Sequence, residues 1–143
     1  MEFFFQLILA IFLGAFIGLE REIKRKEAGL RTYSLVTLGT CLFTIIAFEL
    51  FNFYEGKVGI VLDPSRIIQA IATGIGFIGA GVIFRQGEGI IGLTTAAGLW
   101  VAAAIGVAIA VKFYSLAIFT AFLTVFVLSI FGLLEEKVLK TKG

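Results

Sequence analysis

The chain has 143 residues, room for one domain; 59% are hydrophobic, 15% are charged and the mean hydropathy is +1.06. That balance excludes an ordinary soluble protein and places the chain among integral membrane proteins. A formal net charge of +2 without a basic stripe excludes nucleic acid as a partner, and the absence of histidine removes the commonest transition-metal ligand and general base.

Hydropathy predicts five spans: Phe3–Leu19, Ser34–Tyr54, Ile67–Phe84, Thr94–Val111 and Phe113–Leu134. The opening MEFFFQLILAIFLGAFIGLE has no basic leading region, carries Glu2 and lacks a clean cleavage site. It therefore reads as a retained helix rather than a signal peptide. Gly14 and Gly18 in this span have GxxxG spacing, which puts both on one helix face. They are a contact surface, onto an inner helix pair or a second subunit, or a chance product of a glycine-rich helix.

The loop Glu20–Tyr33 pairs Glu20 with Lys24 and Glu22 with Lys26 if the helix continues to Gly29. One reading is a solvated helix end with a topogenic basic cluster that favours anionic lipid. The other is a functional polar cluster, because Glu20, Arg21 and Glu22 sit at the membrane edge, where unpaired charge is costly. Arg85 is then the expected partner. Glu49, near the far end of the second span, is assigned no role. The single Cys41 lies inside an apolar run, which rules out a disulfide within the chain.

Asp63-Pro64-Ser65-Arg66 reads as a helix start, with Asp63 as N-cap, Pro64 in the first turn and the carboxylate at the positive end of the helix dipole. The competing reading makes Asp63 a cation ligand at the outer mouth. Arg66 and Gln69 project from the first turn, into the interface or the bundle.

The third and fourth spans, each an 18-residue apolar run, flank the polar turn Arg85–Leu93. Nine glycines lie between Gly74 and Gly106, and the fourth span carries seven alanines. Small residues let membrane helices approach closely, so Gly74, Gly76, Gly79, Gly81 and Gly98 are expected to pack a central pair. Gly74–Gly79 is formally GxGxxG, but it lies inside a span without a preceding strand, so it is a packing motif and not a nucleotide site. Thr94 is expected as an N-cap beside Thr95. Trp100 is packing bulk among alanines, or it plugs or lines a cavity. The phenylalanines concentrate in the first, second and fifth spans and are expected to face lipid around the pair.

Nine of the twelve Lys/Arg residues fall on the side of the first loop (Arg21, Lys24, Arg25, Lys26, Arg31), Arg85 and the tail (Lys137, Lys140, Lys142). The positive-inside rule makes that side cytoplasmic and the N-terminus external. No nucleophile–base pair, thiolate site or paired carboxylates at helix spacing argue for an enzyme. Any bound metal is expected to be a hard cation held by oxygen, with Asp63 and Glu20 as candidates.

Five ordered blocks carry a resemblance: G-L-E-R-E at Gly18–Glu22, A-G-L-R-T at Ala28–Thr32 with the S-L-V-T-L-G-T-C-L-F that follows, D-P-S-R at Asp63–Arg66, G-I-G-F-I-G-A-G-V-I-F-R at Gly74–Arg85, and G-L-T-T-A-A-G-L-W at Gly92–Trp100 with its alanine run. With these blocks the chain resembles the membrane domain of the MgtC/SapB family. The resemblance implies a prokaryotic inner-membrane protein linked to magnesium homeostasis and, in some pathogens, to virulence. Members look more like regulators of other membrane proteins than like established transporters. It also raises Glu20, Arg21, Arg31, Asp63, Ser65, Arg66, Arg85, Thr94, Thr95 and Trp100 as a polar network, to which Glu22, Thr32 and Gln69 are added.

The expectation is an all-α polytopic helical bundle of about five spans, residues 1–143 forming one membrane domain without a soluble C-terminal domain. It would be a non-enzymatic regulator without a cofactor, as a homodimer or small oligomer in contact with lipid and another membrane protein. The alternative is a channel or transporter for Mg²⁺ or another cation, formed by an oligomer. A cavity along Gly74–Gly81 would favour transport; a dry seam there would favour the regulator.

Overall fold

The computed structural model describes residues 1–57, 63 and 65–138. Its helices are α1 (Glu2–Ile23), α2 (Leu30–Tyr54), α3 (Ser65–Val82), α4 (Leu93–Ala110), α5 (Tyr114–Phe126) and α6 (Gly132–Val138). A π-helical turn, Val127–Phe131, joins α5 to α6, and the stretch Tyr114–Glu135 acts as one span. Five helical stretches are thus long and apolar enough to cross a membrane, as the hydropathy predicts. The chain is a multi-pass all-α membrane protein.

The polar segment after α3 is a short antiparallel hairpin, β1 (Phe84–Gln86) with β2 (Gly89–Ile91), in which Arg85 faces Ile90. Its exit needs glycine twice over. Gly92 has φ +88, and a Cβ there would run into the carbonyl of Val82.

The bundle is built on α4, which packs against α1, α2, α3 and α5. Its small side chains allow this. Gly98 receives the Tyr33 ring and hydroxyl, and a Cβ on Gly106 would meet Thr40 Oγ1 and the Thr37 carbonyl. The contact of α1 on α2 is equally close. A Cβ on Gly14 would lie 2.6 Å from the Tyr33 carbonyl and 2.8 Å from Ser34 Cα; one on Gly18 would lie 2.7 Å from Leu30 Cα. Thr37 Oγ1 crosses this seam and donates to the Ala10 carbonyl at 2.6 Å. The glycines of the GxxxG face therefore pack on α2 and the turn before it, in the same chain, rather than on the inner pair of the third and fourth spans.

The expected central pair needs correction. α4 is central, but α3 is peripheral and buries only Ile71, Ile75 and Gly79. Gly79 sits against Ala96, while a Cβ on Gly74, Gly76 or Gly81 would meet nothing within 4 Å. Ile71, Ile75 and Gly79 recur every four residues and use one stripe of the helix; the other glycines fall outside that stripe. The phenylalanines of α1, α2 and α5 do lie outward, with Phe4, Phe12, Phe43, Phe53, Phe119 and Phe122 all exposed.

Two helix ends share an unusual device. At the end of α1 the Lys26 N–H bonds to the Arg21 carbonyl (3.0 Å) and Arg25 N–H to that of Glu22 (3.0 Å). At the end of α4, Phe113 N–H bonds to Ala108 (2.8 Å) and Lys112 N–H to Ile109 (3.0 Å). Both are Schellman closures, which usually place glycine in the left-handed position. Here Arg25 (φ 52) and Lys112 (φ 65) occupy it. α1 therefore ends well before Gly29, the stop expected from the sequence.

Candidate functional site

At the end of the bundle where α1 stops and α4 starts, the fold draws charged groups into an apolar core. Arg21 is only 3% exposed. Its Nη2 donates to Thr95 Oγ1 at 2.9 Å, and Nη1 lies 3.7 Å from the Glu20 carboxylate. Thr95, fully buried, donates its hydroxyl to Glu27 Oε2 at 2.5 Å, and its carbonyl accepts the Tyr33 hydroxyl at 3.2 Å. One threonine thus links the end of α1, the following loop, the start of α2 and the start of α4.

Lys24 completes the arrangement. It lies one turn beyond Glu20, 2.8 Å from that carboxylate, and donates to the Leu128 carbonyl at 3.2 Å. Leu128 belongs to the π-helical turn, and such turns are frequent at functional sites. The Thr95 hydrogen bond holds Glu27, in the loop, below the ordinary carboxylate range; the charges of Lys26 and Arg21 act in the same direction. The Glu20–Lys24 pair forms as the helical spacing predicts. Glu22 does not meet Lys26; its Oε2 accepts the Leu30 N–H at 3.0 Å, at the first turn of α2.

The other residues marked in the sequence are placed elsewhere. Arg85 turns back on its hairpin, Nε donating to the Gly87 carbonyl at 3.2 Å, and makes no contact with Glu20 or Glu22 among the described residues. Asp63 Oδ1 accepts both the Ser65 N–H (2.9 Å) and its hydroxyl (2.7 Å), a local turn at the start of α3. Those bonds lower the Asp63 pKa. Pro64 lies outside the described residues. Arg66 and Gln69 line a shallow exposed recess with Thr73 and Gly74. Arg31, Thr94 and Trp100 are exposed, and Trp100 neither plugs nor fills a cavity. Thr32 borders a groove between α2 and α3.

That groove has a volume of about 640 Å³ and is lined by Val36, Gly39, Thr40, Ile71, Gly74 and Ile75 among others. It is almost wholly apolar. The Gly74–Gly81 stretch therefore presents neither a hydrophilic passage nor a closed seam. Neither metal candidate, Asp63 or Glu20, gathers other carboxylates around it, and no group of three or more His, Cys, Asp or Glu that would form an all-protein metal cage exists among the described residues. Lys24, Glu27 and Tyr33 were missed as site residues. The signal for Glu27 was its distance of one loop from Arg21; for Tyr33 there was none.

The profile of the MgtC family matches residues 7–137, nearly the whole chain including both halves of this network. The chain belongs to the MgtC family. It is 45% identical over 130 residues to the Escherichia coli K12 protein named "Putative magnesium transporter YhiD", covering 91% of this chain and 60% of that one. It is 41% identical over 107 residues to protein SapB of Bacillus subtilis (74% of this chain, 46% of SapB). It is 39% identical over 129 residues to protein MgtC of Brucella abortus (90% of this chain, 50% of MgtC). The chain thus spans 46–60% of the length of these curated relatives. No solved structure matches it.

Proposed function

We propose that this MgtC-family chain is a non-enzymatic regulator in magnesium homeostasis that acts by contact with another integral membrane protein. Relatives named for magnesium transport and for MgtC supply the physiological setting. The observation that carries the mode of action is the apolar groove between α2 and α3, flanked by the unpacked glycines of α3. Membrane helices associate through such small-residue surfaces, because packing, rather than the hydrophobic effect, drives their contact in lipid. The occupant that fits is a transmembrane helix of a partner, or of a second copy in a homodimer or small oligomer.

The charged groups support the same reading. Arg21, Glu20, Lys24, Glu27 and Thr95 answer one another at one end of the bundle. Between the two ends the buried polar groups of the core are threonines bonded to backbone, such as Thr37, Thr40 and Thr44. A cation path needs polar steps through the membrane interior, and one chain offers none among its described residues. The polar network then acts as the clamp that holds α1, α2 and α4 in register behind the contact face. In this reading the protein sits in the bacterial inner membrane with its N-terminus outside.

The test is Mg²⁺ uptake into sealed proteoliposomes with a trapped indicator, run beside an Asp63→Ala sample. Folded protein should give no flux above empty vesicles. A flux above that level, reduced by the substitution, would establish the oligomeric cation transporter instead.

A further inference from the structure

The opposite end of the bundle holds a polar cavity that the contact reading does not use. It measures about 370 Å³ and is lined by Glu2, Gln6, Glu49, Asn52, Ala110 and Lys112, with apolar side chains closing its inner wall. Gln6 is 1% exposed, and its Nε2 donates to the carbonyls of Ile109 and Ala110, both at 2.9 Å. Those two bonds fix the orientation of the amide, since a flipped side chain would set oxygen against oxygen. Oε1 is then left buried without a partner in the described residues, on a side chain that lines the same cavity as two carboxylates and an asparagine amide. A buried carbonyl oxygen in that position calls for a donor or a cation.

Lys112 is the second observation. Its Nζ donates to Glu2 Oε2 at 2.9 Å. Its hydrogen bond to Glu2 raises the Lys112 pKa, and the charge of Glu49, across the same cavity, acts in the same direction. This lysine occupies the left-handed position of the α4 closure, where glycine costs nothing and a side chain is strained. A strained residue persists where its side chain is needed.

We propose that this cavity is a binding site for a hydrated divalent hard cation, and that Lys112 is the tethered counter-ion competing with it for Glu2 and Glu49. The donors are all oxygen: two carboxylates, the Asn52 amide and Gln6 Oε1. Mg²⁺ is commonly bound in this way, through one or two carboxylates while keeping most of its water. Six waters at about 30 Å³ each need roughly 180 Å³, which the cavity provides. Arrival of the ion releases Lys112 from Glu2 and frees the α4–α5 turn, which sits at the end of the central helix. The site is independent of the groove, so failure of either proposal leaves the other standing.

The experiment is calorimetric titration of the purified full chain in detergent with MgCl₂ at constant ionic strength, for the native protein, Lys112→Gly and Glu49→Gln. Lys112→Gly suits the turn geometry and keeps the fold, which circular dichroism verifies. Its Mg²⁺ affinity should rise several-fold over the native chain, and that of Glu49→Gln should fall by a comparable factor. Unchanged or weaker binding in folded Lys112→Gly, or no binding in any of the three, overturns the site. So does Glu49→Gln binding as the native protein does.

Discussion

An arginine that is 3% exposed in an apolar bundle is tolerable only while its charge is answered, because removing one partner of a buried ionic group costs about 3–5 kcal/mol. The charge of Arg21 faces the Glu20 carboxylate at 3.7 Å, and its hydrogen bond goes to Thr95, whose hydroxyl is itself tied to Glu27. Arg21→Met and Thr95→Val should each lower stability, Thr95→Val by about 1–3 kcal/mol for the polar groups left unpaired. The two losses should not add. A double-mutant cycle on denaturation in mixed micelles measures the coupling, and additive losses would remove Thr95 as the link. Glu27 gives the same network a pH signature. Its folded pKa is depressed, so its contribution is complete above the ordinary glutamate value of about 4.3 and is lost as pH falls through the lower folded value. Glu27→Gln should flatten the acid limb of the stability profile below pH of about 4. Of this network the sequence exposes Glu20, Arg21 and Thr95, because charge at a membrane edge and a threonine opening an apolar run stand out. Tyr33 does not, since an aromatic near the start of a span has many uses and only the folded contact selects one.

The difference between α3 and the other small-residue helices is one of which face the glycines occupy. Gly14 on α1 lies under the backbone of α2, where a larger side chain would overlap main-chain atoms that cannot move aside. Gly74 on α3 has open space. Gly14→Leu should therefore destabilise the bundle by about 1–3 kcal/mol or prevent its assembly. Gly74→Leu should leave the monomer's stability within about 0.5 kcal/mol while weakening co-purification with the partner membrane protein. Equal losses of stability for the two would mean that α3 is packed as α1 is, and the contact reading would fail with that result. The spans themselves were legible because length and hydropathy suffice to locate them. The role of α3 was not. Composition shows that a helix can approach closely, and only the folded arrangement shows whether a neighbour is there. The α1 and α4 closures were hidden for a related reason: arginine and lysine stand where glycine is the usual signal, and the π-helical turn carries no sequence mark at all.

At the scale of the whole molecule, side-chain contacts establish which segments share an end of the bundle. Arg21 reaches Thr95, and Lys24 reaches Leu128, so the loop after α1, the start of α4 and the far part of the last span lie together. Gln6 and Glu2 reach the end of α4, so the N-terminus, the α4–α5 turn and, by alternation, the end of α2 and the start of α3 lie at the other. The first end carries nine of the twelve basic residues when the tail is counted, although Lys140 and Lys142 lie outside the described residues. Basic residues close to short spans resist translocation, so the first end should be cytoplasmic. Two single-cysteine chains test this, with Cys41, which is buried, replaced by alanine. In intact cells a membrane-impermeant maleimide should label Glu55→Cys, beyond the end of α2. It should label Lys26→Cys only after the membrane is opened. The reverse pattern would invert the protein and place the Glu2–Glu49 cavity on the cytoplasmic side, where the ion competing with Lys112 would be the cell's own rather than that of the medium.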